Sequence, residues 1–422
     1  MHPTVDSAGQ NQGQGESKVT TRRSLLAGAA AAVPLIGRSR AQGAPVMRIG
    51  VLNDQSGAYR TNGGPGSVAN TRLAVQELGA ARGLNVEVLV ADHQGKPDVG
   101  LNAARQWFDR DDVDVVMDFQ NSAIALAVAG LAREKDKVAI ACNVGTSDLT
   151  GARCSPNTLH WAYDTQMLAR VIGGAHVHAG NDTWFFITAD YAFGHALEKD
   201  TANFVKAAGG KVLGAIRMPF PGTDFASPLL QAQQSRAKVI GFANAGTDTV
   251  NCIKQAAEFG ITRRGPKLAG MLLQINDIHA LGLEAAQGLT LAESFYWDLN
   301  DRTRAYAKRI GPAMGGAMPN MSQAACYAAA LHYLKAAADM GAAEAKRSGA
   351  AAVARMKAMP AEDDVFGRST LRADGRVLHT AYLFEAKAPQ ESQGTWDYYK
   401  VVATVPPEQA FRPLNEGGCT LG

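Results

Sequence analysis

The chain has 422 residues, 46% hydrophobic and 19% charged, which excludes a disordered protein and suits two lobes better than one core. The formal charge is +3, yet residues 1–41 hold Lys18, Arg22, Arg23, Arg38 and Arg40 against only Asp6 and Glu16. The body of the chain is therefore neutral, which excludes a nucleic-acid backbone as a partner.

Thr21-Arg22-Arg23-Ser24-Leu25-Leu26 forms a twin-arginine pattern. An apolar run over 25–37 follows, then Ser39-Arg40-Ala41 with small residues at both cleavage-determining places. Charged start, short apolar middle and small-x-small end predict a signal peptide over 1–41, cleaved near Ala41. The run falls short of the roughly 20 residues that a membrane span needs, so stable insertion is not expected. The expected compartment is the periplasm.

From residue 46 two periods alternate. Apolar runs at 46–52, 86–90, 113–119 and 138–142 predict strands. Segments 67–82, 98–109 and 122–135 predict helices, the first with Ser67 as its N-cap. The rhythm restarts with a helix over 167–179 and strands over 184–188, 212–216, 239–243 and 267–273. Between them, 195–208, 225–236 and 248–259 predict helices. The alanine-rich segment 321–340 predicts a long helix, and 378–386 with 396–402 predict edge strands. The fold class is α/β: two units, each a parallel sheet flanked by helices.

Open parallel sheets bind ligands beyond the carboxyl ends of their strands, so the loops there are the candidates. The first follows the strand at 46–52 and carries Ser56, Tyr59 and Asn62 among glycines. Its spacing does not fit a dinucleotide loop. The second carries Asn121 and Ser122, where helix capping and the holding of a carboxylate stand side by side. The third carries Gly145 and Thr146, and the fourth Tyr191 and Phe193, where aromatic rings serve as core or as a stacking surface. Asn244 marks the fifth loop, and Leu273 with Gln274 the sixth.

There is no nucleophile elbow, no His-Glu-x-x-His and no Walker loop, so no catalytic residue, cofactor or metal is assigned. Of the five cysteines, Cys154 and Cys419 lie in turn-rich sequence and are the first choice for a disulfide. The pairing of Cys142, Cys252 and Cys326 is left open, and the odd count leaves at least one thiol free.

These stretches resemble a known family. Residues 49–66 (IGVLNDQSGAYRTNGGPG), 188–197 (TADYAFGHAL), 221–231 (PGTDFASPLLQ) and 238–260 (KVIGFANAGTDTVNCIKQAAEFG) are similar to type I periplasmic solute-binding proteins of ABC transporters, in the Leu/Ile/Val-binding group. The resemblance implies two Rossmann-like lobes joined by a three-crossover hinge, a small carboxylate ligand between them, a partner permease and no catalysis. It sets the lobes at 46–163 plus 297–365 and 164–296 plus 366–422. It assigns the ligand contacts to Ser56, Tyr59, Asn62, Asn121, Ser122, Gly145, Thr146, Tyr191, Phe193, Asn244, Leu273 and Gln274. In the family an acidic side chain near the end of the strand at 267–273 pairs with an amino acid's ammonium. Met271-Leu272-Leu273-Gln274 has no acid there. Either Asp190, Asp248 or Asp277 takes that part, or the ligand is an aromatic or keto acid. An exported α/β enzyme and a ligand sensor of the same fold are the alternatives.

Overall fold

The computed structural model describes residues 45–261 and 265–421. The expected signal peptide lies outside the described residues.

Five parallel strands build the first sheet: β1 (Val46–Asn53), β2 (Asn85–Asp92), β3 (Val115–Asp118), β4 (Val138–Ala141) and β5 (Thr158–His160), in the order β2-β1-β3-β4-β5. β3 and β4 read VVMD and VAIA and are buried on both faces, as parallel strands covered by helices must be. Helices α1 (Gly64–Leu78), α2 (Pro97–Asp109) and α3 (Ser122–Glu134) connect them. Ser67 does not cap α1. Pro65 fits the first helical turn, where its missing N–H costs nothing, so the helix starts earlier, with Gly63 at the cap and Ser67 buried inside it.

The second sheet holds β6 (Thr183–Ala189), β7 (Lys211–Met218), β8 (Val239–Ala243), β9 (Lys267–Gly270) and β10 (Thr290–Glu293), again parallel. Its helices begin with α4, which runs through Thr165–Leu168, a wider π turn at Ala169–Gly173, and Gly174–His178. α5 (Ala192–Ala207), α6 (Ala226–Gln234), α7 (Thr247–Glu258) and α8 (Ile275–Leu281) follow. β9 is shorter than the sequence suggests, because Met271–Gln274 leaves the ladder to enter the cleft.

The chain then returns to the first sheet with α9 (Asp301–Ile310), α10 (Met321–Met340) and α11 (Gly349–Ala358). The Asn320 side chain caps α10 by accepting the Ser322 and Gln323 N–H groups. α10 shows little amphipathicity because it is buried on nearly every side, packed along α1. A small antiparallel sheet, β11 (Ala361–Asp363), β12 (Gly367–Leu371) and β13 (Val377–Leu378), extends the first lobe through a bridge between His160 and Arg376. The third passage of the chain between the two main sheets therefore falls at 378–381. β14 (Ala381–Ala386) and β15 (Tyr399–Val405) complete the second sheet, antiparallel, giving β15-β14-β10-β9-β8-β6-β7.

Arg376 is fully buried where the crossings meet. It donates to the Trp161, Tyr163 and Val377 carbonyls and pairs with Asp164 at 3.4 Å. Its charge is thus spent on hinge backbone, which a buried guanidinium requires.

Candidate functional site

The order of the first sheet reverses between β1 and β3, and that of the second between β6 and β8. Such reversals leave a crevice at the carboxyl ends of the strands. Here the two crevices face each other and leave only a small cavity between them, about 10 Å³. The first lobe supplies Tyr59, Asn62, Gln120, Asn143 and Tyr163; the second supplies Tyr191, Phe193, Ala245, Leu272 and Gln274. Each comes from the loop or turn that follows a strand, except Phe193, which sits in the first turn of α5.

Direct contacts join the lobes around this cavity. The Tyr59 and Tyr191 hydroxyls lie 2.6 Å apart, and the Phe220 ring stacks on both, with centroids 5.0 and 4.9 Å away. The Asn62 amide donates to the Asp277 carboxylate at 3.2 and 3.1 Å and to the Gln274 side-chain oxygen at 3.4 Å. Asp277 also caps α8 by accepting the Gln274 N–H at 2.9 Å. Burial pushes Asp277 up to about 7, against those two donors. Burial likewise raises Asp248 to about 7 although it accepts the Gly222 N–H. Gly246 has φ of +59°, and a Cβ there would stand 2.9 Å from both the Ala58 carbonyl oxygen and a Tyr59 ring carbon.

Gln120 is held by unusual backbone. Asp118, Phe119 and Gln120 have φ of 86, 75 and 52°, three consecutive non-glycine residues in the left-handed region. Such a run costs roughly 1–3 kcal/mol per residue and persists only where its surroundings over-determine it. The Phe119 N–H donates to the Leu52 carbonyl and His93 bonds the Phe119 carbonyl. Gln120 then accepts the Asp54 N–H at 2.6 Å and donates to the Tyr59 carbonyl at 2.5 Å, pinning the first loop.

The candidates from sequence divide. Tyr59, Asn62, Tyr191, Phe193 and Gln274 line the cavity. Gly145 lies behind Phe193, whose ring occupies the place a Cβ would need. Ser56 faces away and donates to Asp92 at 2.6 Å. Asn121 caps α3, Ser122 accepts the Thr146 N–H, and Thr146 caps the following turn. Asn244 is bonded to Thr249 and Cys252, and Leu273 packs in the second-lobe core while Leu272 takes the cavity wall. Of the three acids, Asp190 is exposed and pairs with His195, while Asp248 and Asp277 are buried. Gln120, Asn143 and Ala245 lie within the candidate loops but were not singled out as contacts, and Tyr163, three residues beyond β5, lay outside them. Cys154 and Cys419 form a disulfide, and Cys142, Cys252 and Cys326 are buried free thiols.

Two α/β lobes crossed three times by the chain, with a cleft at the strand ends of both, define the type I periplasmic binding architecture. Residues 46–394 match the family described as periplasmic binding protein, and the chain belongs to that family. A crystal structure of a periplasmic binding protein from Burkholderia mallei is 46% identical, with a TM-score of 0.85, over 89% of this chain and 99% of that one. A branched chain amino acid ABC transporter periplasmic ligand-binding protein from Burkholderia xenovorans LB400 is 39% identical, with a TM-score of 0.78, over 89% of this chain and 99% of that one. "Leu/Ile/Val-binding protein homolog 6" of Brucella melitensis is 25% identical over 256 residues, 58% of this chain and 64% of the relative's length. Among the described residues no helix is long and apolar enough to cross a membrane.

Proposed function

We propose that this protein is the exported, non-catalytic substrate-binding component of an ABC importer, and that it captures a small organic carboxylate between its lobes by hinge closure. The observation that carries this reading is the convergence of seven segments that follow strands of both sheets on one cavity bounded by interlobe contacts. The ligand would meet the rings of Tyr59, Tyr163, Tyr191 and Phe193 and the amides of Asn62 and Gln274. The closed pair of lobes would then dock on the permease. The twin-arginine pattern supports delivery to the periplasm.

The branched-chain amino acids fit this site best. Asp277 stands beside the cavity, buried and with no cation paired to it among the described residues, so a ligand ammonium would relieve its raised pKa. Aromatic and keto acids are the second reading, favoured by the absence of an acid on the wall at Leu272–Gln274.

Thermal-shift measurements with L-leucine, L-isoleucine, L-valine, benzoate and 2-oxoisocaproate test both. A ligand at about 100 times its Kd stabilises by about 2.7 kcal/mol, a rise of several degrees. A response to the amino acids alone supports the first reading, and a response to the other acids alone supports the second. No response to any of the five overturns the carboxylate assignment.

A further inference from the structure

The chain crosses between lobes a fourth time. β15 ends at Val405 in the second sheet, and the tail then runs back across the hinge. Phe411 is buried, with the Arg376 guanidinium 4.8 Å from its ring centre. Arg412, also buried, donates to the Ser147 carbonyl at 2.8 Å. Glycines make room for it: a Cβ at Gly151 would stand 2.8 Å from the same guanidinium nitrogen, and one at Gly417 2.7 Å. Cys419 is then bonded to Cys154 on the first lobe.

The loop that Arg412 holds is also a wall support. Ser147 donates its hydroxyl to Asp200 at 2.8 Å, and Asp200 lies on α5 of the second lobe. The same helix carries Phe193, whose ring packs on Gly145, two residues before Ser147. A continuous path therefore runs from the tail through residues 145–151 to a ring that lines the cavity.

We propose that the disulfide-locked tail is a positioning element of the ligand site: Arg412 and the Cys154–Cys419 bond hold residues 145–151 against α5 and so set the place of Phe193. Its bearing on ligand capture rests on the cleft being the binding site.

Hydrogen exchange, read by mass spectrometry on the purified protein, tests the proposal without any ligand. In Arg412→Met, in the Cys154→Ser/Cys419→Ser pair, and in wild type treated with a reductant, amides over 145–151 and 193–200 should exchange about tenfold faster. β8 and β9 should keep their protection, and Arg412→Lys should restore part of it, since an ammonium also reaches a carbonyl. L-leucine titration by calorimetry should show a several-fold weaker Kd in the first two variants. Faster exchange confined to 405–421, or spread evenly over the chain, overturns the proposal. If wild type ignores L-leucine, the amino-acid reading of the cleft fails, while the exchange data still decide the role of the tail.

Discussion

Gly246→Ala weakens ligand capture about a hundredfold, with a much smaller loss of overall stability. Two costs meet at this residue. Its φ of +59° and ψ of −133° belong to a region that L-residues avoid. Its Cβ would also stand 2.9 Å from the Ala58 carbonyl oxygen and from a Tyr59 ring carbon, both across the cleft. The backbone strain is present whether the lobes are open or shut, but the collision exists only when they are shut. A collision of about 3 kcal/mol lowers the closed population, and the apparent affinity with it, by about two powers of ten. Gly282→Ala is the control. Gly282 also has positive φ, at +77°, but a Cβ there meets nothing within 4 Å. It should lose stability and keep its affinity. Titration calorimetry and chemical denaturation of both variants separate the terms, and equal affinity losses would remove Gly246 from the closing contact.

Stability should fall as pH rises from about 6.5 to 8, because two sets of buried groups that oppose each other at lower pH no longer do so. Burial raises Glu293 to about 8, against the hydrogen bonds from the Tyr399 hydroxyl and the Met321 N–H, and raises Asp248 and Asp277 to about 7. A carboxyl whose folded pKa lies above its unfolded value of about 4 contributes stability that is lost as pH rises through the folded value. Between about pH 4 and their folded values of about 7 to 8 these three groups therefore lower stability as pH rises, each by at most about 1.4 kcal/mol per pH unit. The buried histidines act in the opposite sense. Burial, helped by Arg376, lowers His160 to about 3 and His379 to about 4, and burial helped by Lys267 lowers His176 to about 4. Their contribution is present above about 6.5 and is lost as pH falls toward the folded values. Urea denaturation at pH 6.5, 7, 7.5 and 8 should trace the fall, and Glu293→Gln should flatten it. An unchanged slope in that variant would rule out Glu293 as a source of the alkaline loss.

The strand–helix rhythm was legible because parallel strands buried on both faces read as unbroken apolar runs, as VVMD and VAIA do here. β5 and β10 were missed because three or four residues carry no period. The loops of the cleft were legible as strand ends, but the direction of each side chain was not. Ser56 and Tyr59 sit three residues apart in one turn, and only Tyr59 reaches the cavity, since Asp92 holds the serine hydroxyl. Gln120 was invisible for another reason. Nothing in Asp-Phe-Gln announces three left-handed residues, a conformation that the tertiary contacts of Leu52 and His93 impose. The disulfide was legible from turn-rich flanks, whereas the return of the tail across the hinge depends on topology that no local pattern encodes.

The order in which the chain visits its lobes bears on biosynthesis. The strands of the first sheet are complete by His160, yet α10, which packs along α1, ends only at Met340. β10 in turn waits for β14, which spans residues Ala381–Ala386. The native partners of this early apolar surface thus emerge from the ribosome late. Neither sheet therefore gains its last partner before most of the chain has been made.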